Sequence, residues 1–182
     1  MSIGSTRGGR IANALAFQGV WFACVGGASL GLAWPGLLAA LVFGAVTMAI
    51  GGCWRADLRT LAIALPLGLG LDCGFAALGW LDYASAERWP LAAPPWIAAL
   101  WVGFAMTLNH SLAFLRNAPR LAALLGLVGA PVAYWSAARG FEVVSLAEPA
   151  SAIMLALGLA WAALLPLVFR LDARLPGNPA LP

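Results

Sequence analysis

Lysine is absent from this chain of 182 residues, histidine occurs once, and charged residues make up only 9% of it. In soluble domains about a quarter of residues are charged, so this poverty excludes an ordinary water-facing surface. The formal net charge of +3 rests on ten arginines set singly or in pairs beside apolar runs. That placement marks the ends of membrane segments and not a nucleic-acid surface, so no nucleic-acid partner is expected. Arginine without lysine, with abundant Ala, Gly, Leu and Pro, is the composition of a GC-rich bacterial genome. Cys24, Cys53 and Cys73 are odd in number and lack CxxC spacing, which suggests small buried hydrophobes and neither a disulfide frame nor a zinc site. A P-loop, a GxGxxG after a strand and a GxSxG elbow are all missing. One histidine and scattered carboxylates do not supply three or four ligands at familiar spacings, so neither a metal nor a cofactor is expected.

What the chain does contain is apolar sequence: hydrophobic residues account for 63%. Six runs, Ile11–Ala33, Pro35–Cys53, Thr60–Trp80, Trp96–Leu115, Leu121–Ala138 and Ala150–Phe169, are each long enough as helices to cross a hydrocarbon core of ~30 Å. The expected fold is therefore an all-α polytopic transmembrane bundle of six helices, one integral membrane domain over residues 1–182. The separators are turn-like: Trp34-Pro35, the charged stretch Arg55–Arg59, the longer Leu81–Pro95 with room for a short interfacial segment, Asn117–Arg120, and Arg139–Pro149. The first run is read as a retained span and not a signal peptide, because it is longer than a typical h-region, carries Asn13 and Gln18, and leads into five more spans.

With six spans both termini share a side. Arg7, Arg10, Arg55, Arg59, Arg116, Arg120, Arg170 and Arg174 fall on it, against Arg88 and Arg139 opposite, where Asp82, Glu87, Glu142 and Glu148 also lie. The positive-inside rule then puts both termini in the cytoplasm of a bacterial inner membrane. Trp34, Trp54, Trp80, Trp89, Trp96 and Trp135 fall near span ends, where an indole keeps its N–H wet and its body apolar. Gly26-Gly27, Gly51-Gly52 and Gly68/Gly70 suit close helix contacts. Leu65-Pro66-Leu67 with Asp72 is echoed by Leu165-Pro166-Leu167 with Asp172, as an inverted repeat would be, but these spans put Asp72 near mid-membrane and Asp172 outside.

Polar residues inside spans carry the functional candidates, since a charge at the bilayer centre costs roughly 2.5–3.5 kcal/mol on insertion scales. They are Asn13, Gln18, Asp72, Thr107, Asn109, His110, Ser111 and Tyr134. Helical rise puts Gln18 and the Asn109/His110 pair at similar depths of roughly 8–10 Å from the cytoplasmic side, and Asp72 at roughly 18 Å. We expect Gln18, Asn109 and His110 to converge on one inner-leaflet site with Asn13 at its mouth. Thr107, Ser111 and Phe114 form a stripe on the fourth helix with His110 beside it. His110 can serve as a general base, a proton carrier or a headgroup anchor, or simply make an interhelical hydrogen bond. Asp72, which must be paired or protonated at depth, has His110 as the only other titratable group at depth. His110 and Asp72 are the catalytic candidates, and Asn13, Gln18, Asn109, Ser111 and Tyr134 the substrate-binding ones.

These residues carry a resemblance. Asn13 with Phe17-Gln18 and Trp21-Phe22, Pro66 with Asp72, Pro95-Trp96 with Leu100-Trp101 and Phe104, the run Thr107-Leu108-Asn109-His110-Ser111-Leu112, Gly129-Ala130-Pro131 with Tyr134, and Trp161 with Pro166 together resemble the bacterial inner-membrane family of domain of unknown function 2878. The TLNHSL run is the most specific element, and Ala130 departs from an expected second glycine before Pro131. The resemblance implies a six-helix inner-membrane fold and no established activity. It also implies an association with genes for fatty-acyl modification, such as proteins similar to cyclopropane-fatty-acid synthases.

Three functions follow as expectations. The first is lipid or fatty-acyl binding or modification at the inner-leaflet site, with membrane lipids as partners and a side opening that reaches His110. The second is a small proton-coupled transporter using Asp72, with a polar passage lined by breaks at Pro66, Pro131 and Pro166; six short helices are few for a carrier, so it is expected to form a homo-oligomer. The third is a non-catalytic subunit of a membrane partner, with every polar group paired and no cavity.

Overall fold

The computed structural model describes residues 6–84 and 92–175. Glu87, Arg88 and Trp89, with residues 85–91 of the connection expected to hold an interfacial segment, lie outside the described residues. Six helices follow in order: α1 (Arg7–Ser29), α2 (Trp34–Gly51), α3 (Trp54–Ala77), α4 (Pro95–Leu108), α5 (Pro119–Gly140) and α6 (Ala150–Arg174). Five of them are long and apolar enough to cross a membrane. Local chemistry sets their ends. Thr6 caps α1 by accepting from the Gly9 N–H at 3.0 Å, Pro begins α2, α4 and α5 within the first two positions, and Gly52 ends α2 at φ +75°, a conformation favouring glycine.

α4 sits at the centre and is buried along most of its length. It packs on α1, α2 and α3, while α1–α2–α3–α6–α5 form successive contacts around it. That ring does not close: α5 pairs extensively with α6 but makes at most marginal contact with α1. The small-residue expectation holds at particular glycines. A Cβ at Gly27, Gly51 or Gly68 would collide with a neighbouring chain segment, whereas Gly26 and Gly70 face open space.

The starts of α1 and α3, the end of α4 and the end of α6 meet at one end of the bundle, which we call the terminal end. The opposite end carries a two-stranded antiparallel ribbon unforeseen in an all-α reading. Its strands β1 (Leu81–Tyr83) and β2 (Val144–Leu146) pair Asp82 with Ser145. This ribbon staples the α3–α4 connection to the α5–α6 connection, and Trp96 fastens it by donating its indole N–H to the Ala84 carbonyl at 2.9 Å. Trp96 is thus buried, unlike the exposed Trp34, Trp54, Trp80 and Trp135.

Three expected boundaries are corrected. The fourth span is not one helix: α4 has 14 residues, ~21 Å of rise, and Asn109–Leu112 turn into a 3-10 segment over Ala113–Asn117. Thr107, Ser111 and Phe114 therefore share no helical stripe. Arg55–Arg59 is no loop but the first turns of α3. Asp172 lies within α6 and is fully buried.

Candidate functional site

Two buried polar clusters and one cavity stand out. At the ribbon end, Asp72 is 1% exposed and accepts three hydrogen bonds. Tyr83 Oη donates to Oδ1 at 2.7 Å, Trp101 Nε1 donates to Oδ2 at 2.6 Å, and Tyr134 Oη makes a third, short bond to Oδ1. Asp72 thus faces the interior, as expected, but its partners are two phenols and an indole and not His110. It lies five residues before the end of α3, beneath the ribbon. Burial, followed by the adjacent Asp72 carboxylate, pushes the ribbon residue Tyr83 above the usual phenol range, so it remains a donor. Trp101 stacks on Trp161 at 4.6 Å between ring centroids, which fixes the indole that holds Asp72.

At the terminal end, the charged residues read as loop and anchors converge. Asp172 receives Arg59 Nε at 2.6 Å and Arg116 Nη1 at 2.5 Å. Arg116 Nη2 also donates to Asn109 Oδ1 at 2.7 Å, and Asn109 Nδ2 donates to Asp57 Oδ1 and Thr60 Oγ1, both at 3.0 Å. His110 Nε2 lies 3.1 Å from Asp57 Oδ1, and Cys53 Sγ lies 3.7 Å from the same nitrogen. The reading of scattered carboxylates is corrected here: Cys53, Asp57 and His110 offer three donor atoms within 4.8 Å of one another. Sequence reasoning missed Cys53, Asp57, Arg59, Thr60, Arg116 and Asp172. The signal lay in Asp57 and Arg59, a carboxylate and a guanidinium too close to an apolar run to be outside it.

Asn13 does something else. Its Nδ2 donates to the Met106 carbonyl at 3.3 Å, and its Oδ1 accepts from Ser111 Oγ at 2.7 Å and Ser111 N at 3.3 Å. It caps the broken end of α4 from a different helix.

The cavity, about 880 Å³, fills the space between α4 and the α5–α6 pair. Phe17, Trp21, Leu100, Phe104 and Trp161 dominate its wall. Thr107 and Ser111 stand at its terminal end, and Asp72 and Tyr134 at its ribbon end. Its rim includes Phe22, Leu125, Val132 and Trp135, all exposed on α1 and α5, so it opens sideways through the gap in the ring. Near the ribbon end, Phe141 bridges that gap, its ring 5.6 Å from Trp21 and 6.1 Å from Phe22. Gln18 lines the opening, is exposed, and its side chain makes no hydrogen bond among the described residues. The buried Trp161 Nε1 likewise has no partner among the described residues.

The expected convergence of Gln18, Asn109 and His110 does not occur. α1 and α4 are neighbours, but the helix break at Asn109 turns His110 toward α2 and α3 while Gln18 faces the cavity.

The architecture defines a multi-pass α-helical membrane protein with a laterally open apolar cavity. The chain belongs to the family described as "Protein of unknown function (DUF2878)", whose profile matches residues 10–167. Comparison with curated proteins and with solved structures gives no match.

Proposed function

We propose that this is a protein of a bacterial inner membrane that binds a lipid or fatty-acyl chain in the cavity between α4 and the α5–α6 pair. The supporting observation is the sideways opening: an apolar cavity with its rim on lipid-facing α1 and α5 is reachable by a chain already in the bilayer. Aromatic walls of Phe17, Phe104 and Trp161 suit an acyl chain. The free side-chain amide of Gln18 at the mouth suits an ester or carboxyl group. On this reading His110 takes no part in lipid contact, and Asp72 and Tyr134 shape the ribbon end of the wall. A transporter reading has less support, because the cavity wall between Thr107 and Asp72 is aromatic, with Trp101 and Phe104 packed edge to face at 5.7 Å between ring centroids.

The test is lipid retention. Native mass spectrometry of the detergent-purified chain should find a bound lipid in the wild type and in Val46→Trp, which alters the exposed face of α2. Ala133→Trp, which fills the cavity, should lose it while keeping its helical circular dichroism. Equal retention in Ala133→Trp, or none in the wild type, overturns the reading.

A further inference from the structure

We infer that Cys53, Asp57 and His110 form a binding site for a divalent transition metal of the zinc class, at the terminal end of the bundle and separate from the cavity. The geometry is that of a coordination sphere. Cys53 Sγ is 3.6 Å and 3.7 Å from the two Asp57 oxygens and 3.7 Å from His110 Nε2, and His110 Nε2 is 3.1 Å and 3.2 Å from those oxygens. Three ligands at ordinary zinc distances, placed tetrahedrally, have edges of about 3.4–3.6 Å. The donor triangle already has nearly that size.

A cysteine–histidine–aspartate relay would look different. It needs the thiol at one ring nitrogen and the carboxylate at the other, whereas here both face Nε2. Three donors converging on one point instead of forming a chain is what a shared cation requires. A thiolate and an imidazole select zinc-class metals over calcium or magnesium.

The surroundings hold these ligands in place. Cys53 precedes α3 and Asp57 lies in its first turn, a spacing of four that puts both on one face. Asn109 Nδ2 binds Asp57 Oδ1 at 3.0 Å as an outer-shell support. Gly51 lies flat against the imidazole, where a Cβ would come within 2.4 Å of Cε1. Charge bears on the fourth position. Arg59 and Arg116 balance Asp57 and Asp172, so a divalent cation with a Cys53 thiolate leaves one positive charge. An anion, such as hydroxide or a carboxylate, in the fourth position cancels it. Three protein ligands with an exchangeable fourth is the open pattern of reactive zinc sites.

The full chain, purified in detergent and stripped with a chelator, is dialysed against Zn2+ and separately titrated with Co2+. The expected result is about one metal ion per chain and a thiolate-to-cobalt charge-transfer band. Cys53→Ser should weaken binding by about tenfold or more and abolish that band, while Cys73→Ser keeps both. His110→Ala should also lose the metal. Should that variant misfold, Cys53→Ser carries the test, since its Sγ makes only long contacts. Metal retained equally by Cys53→Ser, or none bound by the wild type, overturns the site. Neither result depends on whether a lipid occupies the cavity.

Discussion

At Asp172 one carboxylate faces two guanidinium groups, and at Asp72 one carboxylate takes three neutral donors, so the same side chain is buried in two chemically opposite ways. The first arrangement is sensitive to charge. Asp172→Ala leaves Arg59 and Arg116 with no counter-ion and should destabilise by about 3–5 kcal/mol, the usual cost of breaking a buried pair. The second is sensitive to acceptors. In Asp72→Asn the amide oxygen still accepts from Trp101 and its N–H can donate to a phenol, whereas Asp72→Leu strands three donors. At ~0.6–1.7 kcal/mol per membrane hydrogen bond, Leu, which keeps neither of the two bonds that Asn keeps, should cost about 1–3 kcal/mol more than Asn. Thermal melts of the two variants in one detergent decide this, and equal melting temperatures would show that the triple hydrogen bond does not stabilise the ribbon end. Asp72's burial was legible in the sequence because an apolar run surrounds it. Its partners were not, since Tyr83 lies in a connection and Trp101 and Tyr134 lie on other helices.

The helices followed from hydropathy, but their breaks and polar edges did not. Arg55–Arg59 looked like a loop because charges beside an apolar run ordinarily mark an interface. It is helical because Asp57 and Arg59 find partners 52–113 residues away, which no local pattern announces. The break in α4 was hidden for the same reason: its cap is Asn13, 93 residues distant from Met106. Close helix contacts were legible as glycines without showing which glycine mattered. Gly68 and Gly70 on α3 now separate. A Cβ at Gly68 would fall 2.1–2.3 Å from the Trp101 ring, while one at Gly70 meets nothing within 4 Å. Gly68→Ala must push Trp101 off Asp72 and off Trp161, and should destabilise by about 2 kcal/mol or more. Gly70→Ala should be neutral or slightly stabilising through helix propensity. Matched melting curves test the pair, and a Gly68→Ala protein as stable as Gly70→Ala would contradict the Trp101 packing.

Across the whole molecule the buried polar groups divide between two ends, with the aromatic cavity between them, and the two ends differ in charge. The starts of α1 and α3 and the end of α6 carry Arg7, Arg10, Arg55, Arg59, Arg170 and Arg174, with Arg116 and Arg120 beside the start of α5. The ribbon end carries Arg139 among its described residues. Two of those eight, Arg59 and Arg116, are held by Asp172, which leaves six to act as free topological signals. Six still outweigh those opposite, so the positive-inside rule keeps its direction, and the terminal end should be cytoplasmic. Compartment reporters fused after residue 182 and inserted within 81–95 should then read opposite sides, cytoplasmic for the first. The same measurement on Arg59→Gln and Arg116→Gln should leave orientation unchanged, because those charges are already spent on Asp172. Inversion by either substitution would mean that the buried cluster forms only after the chain has chosen its orientation.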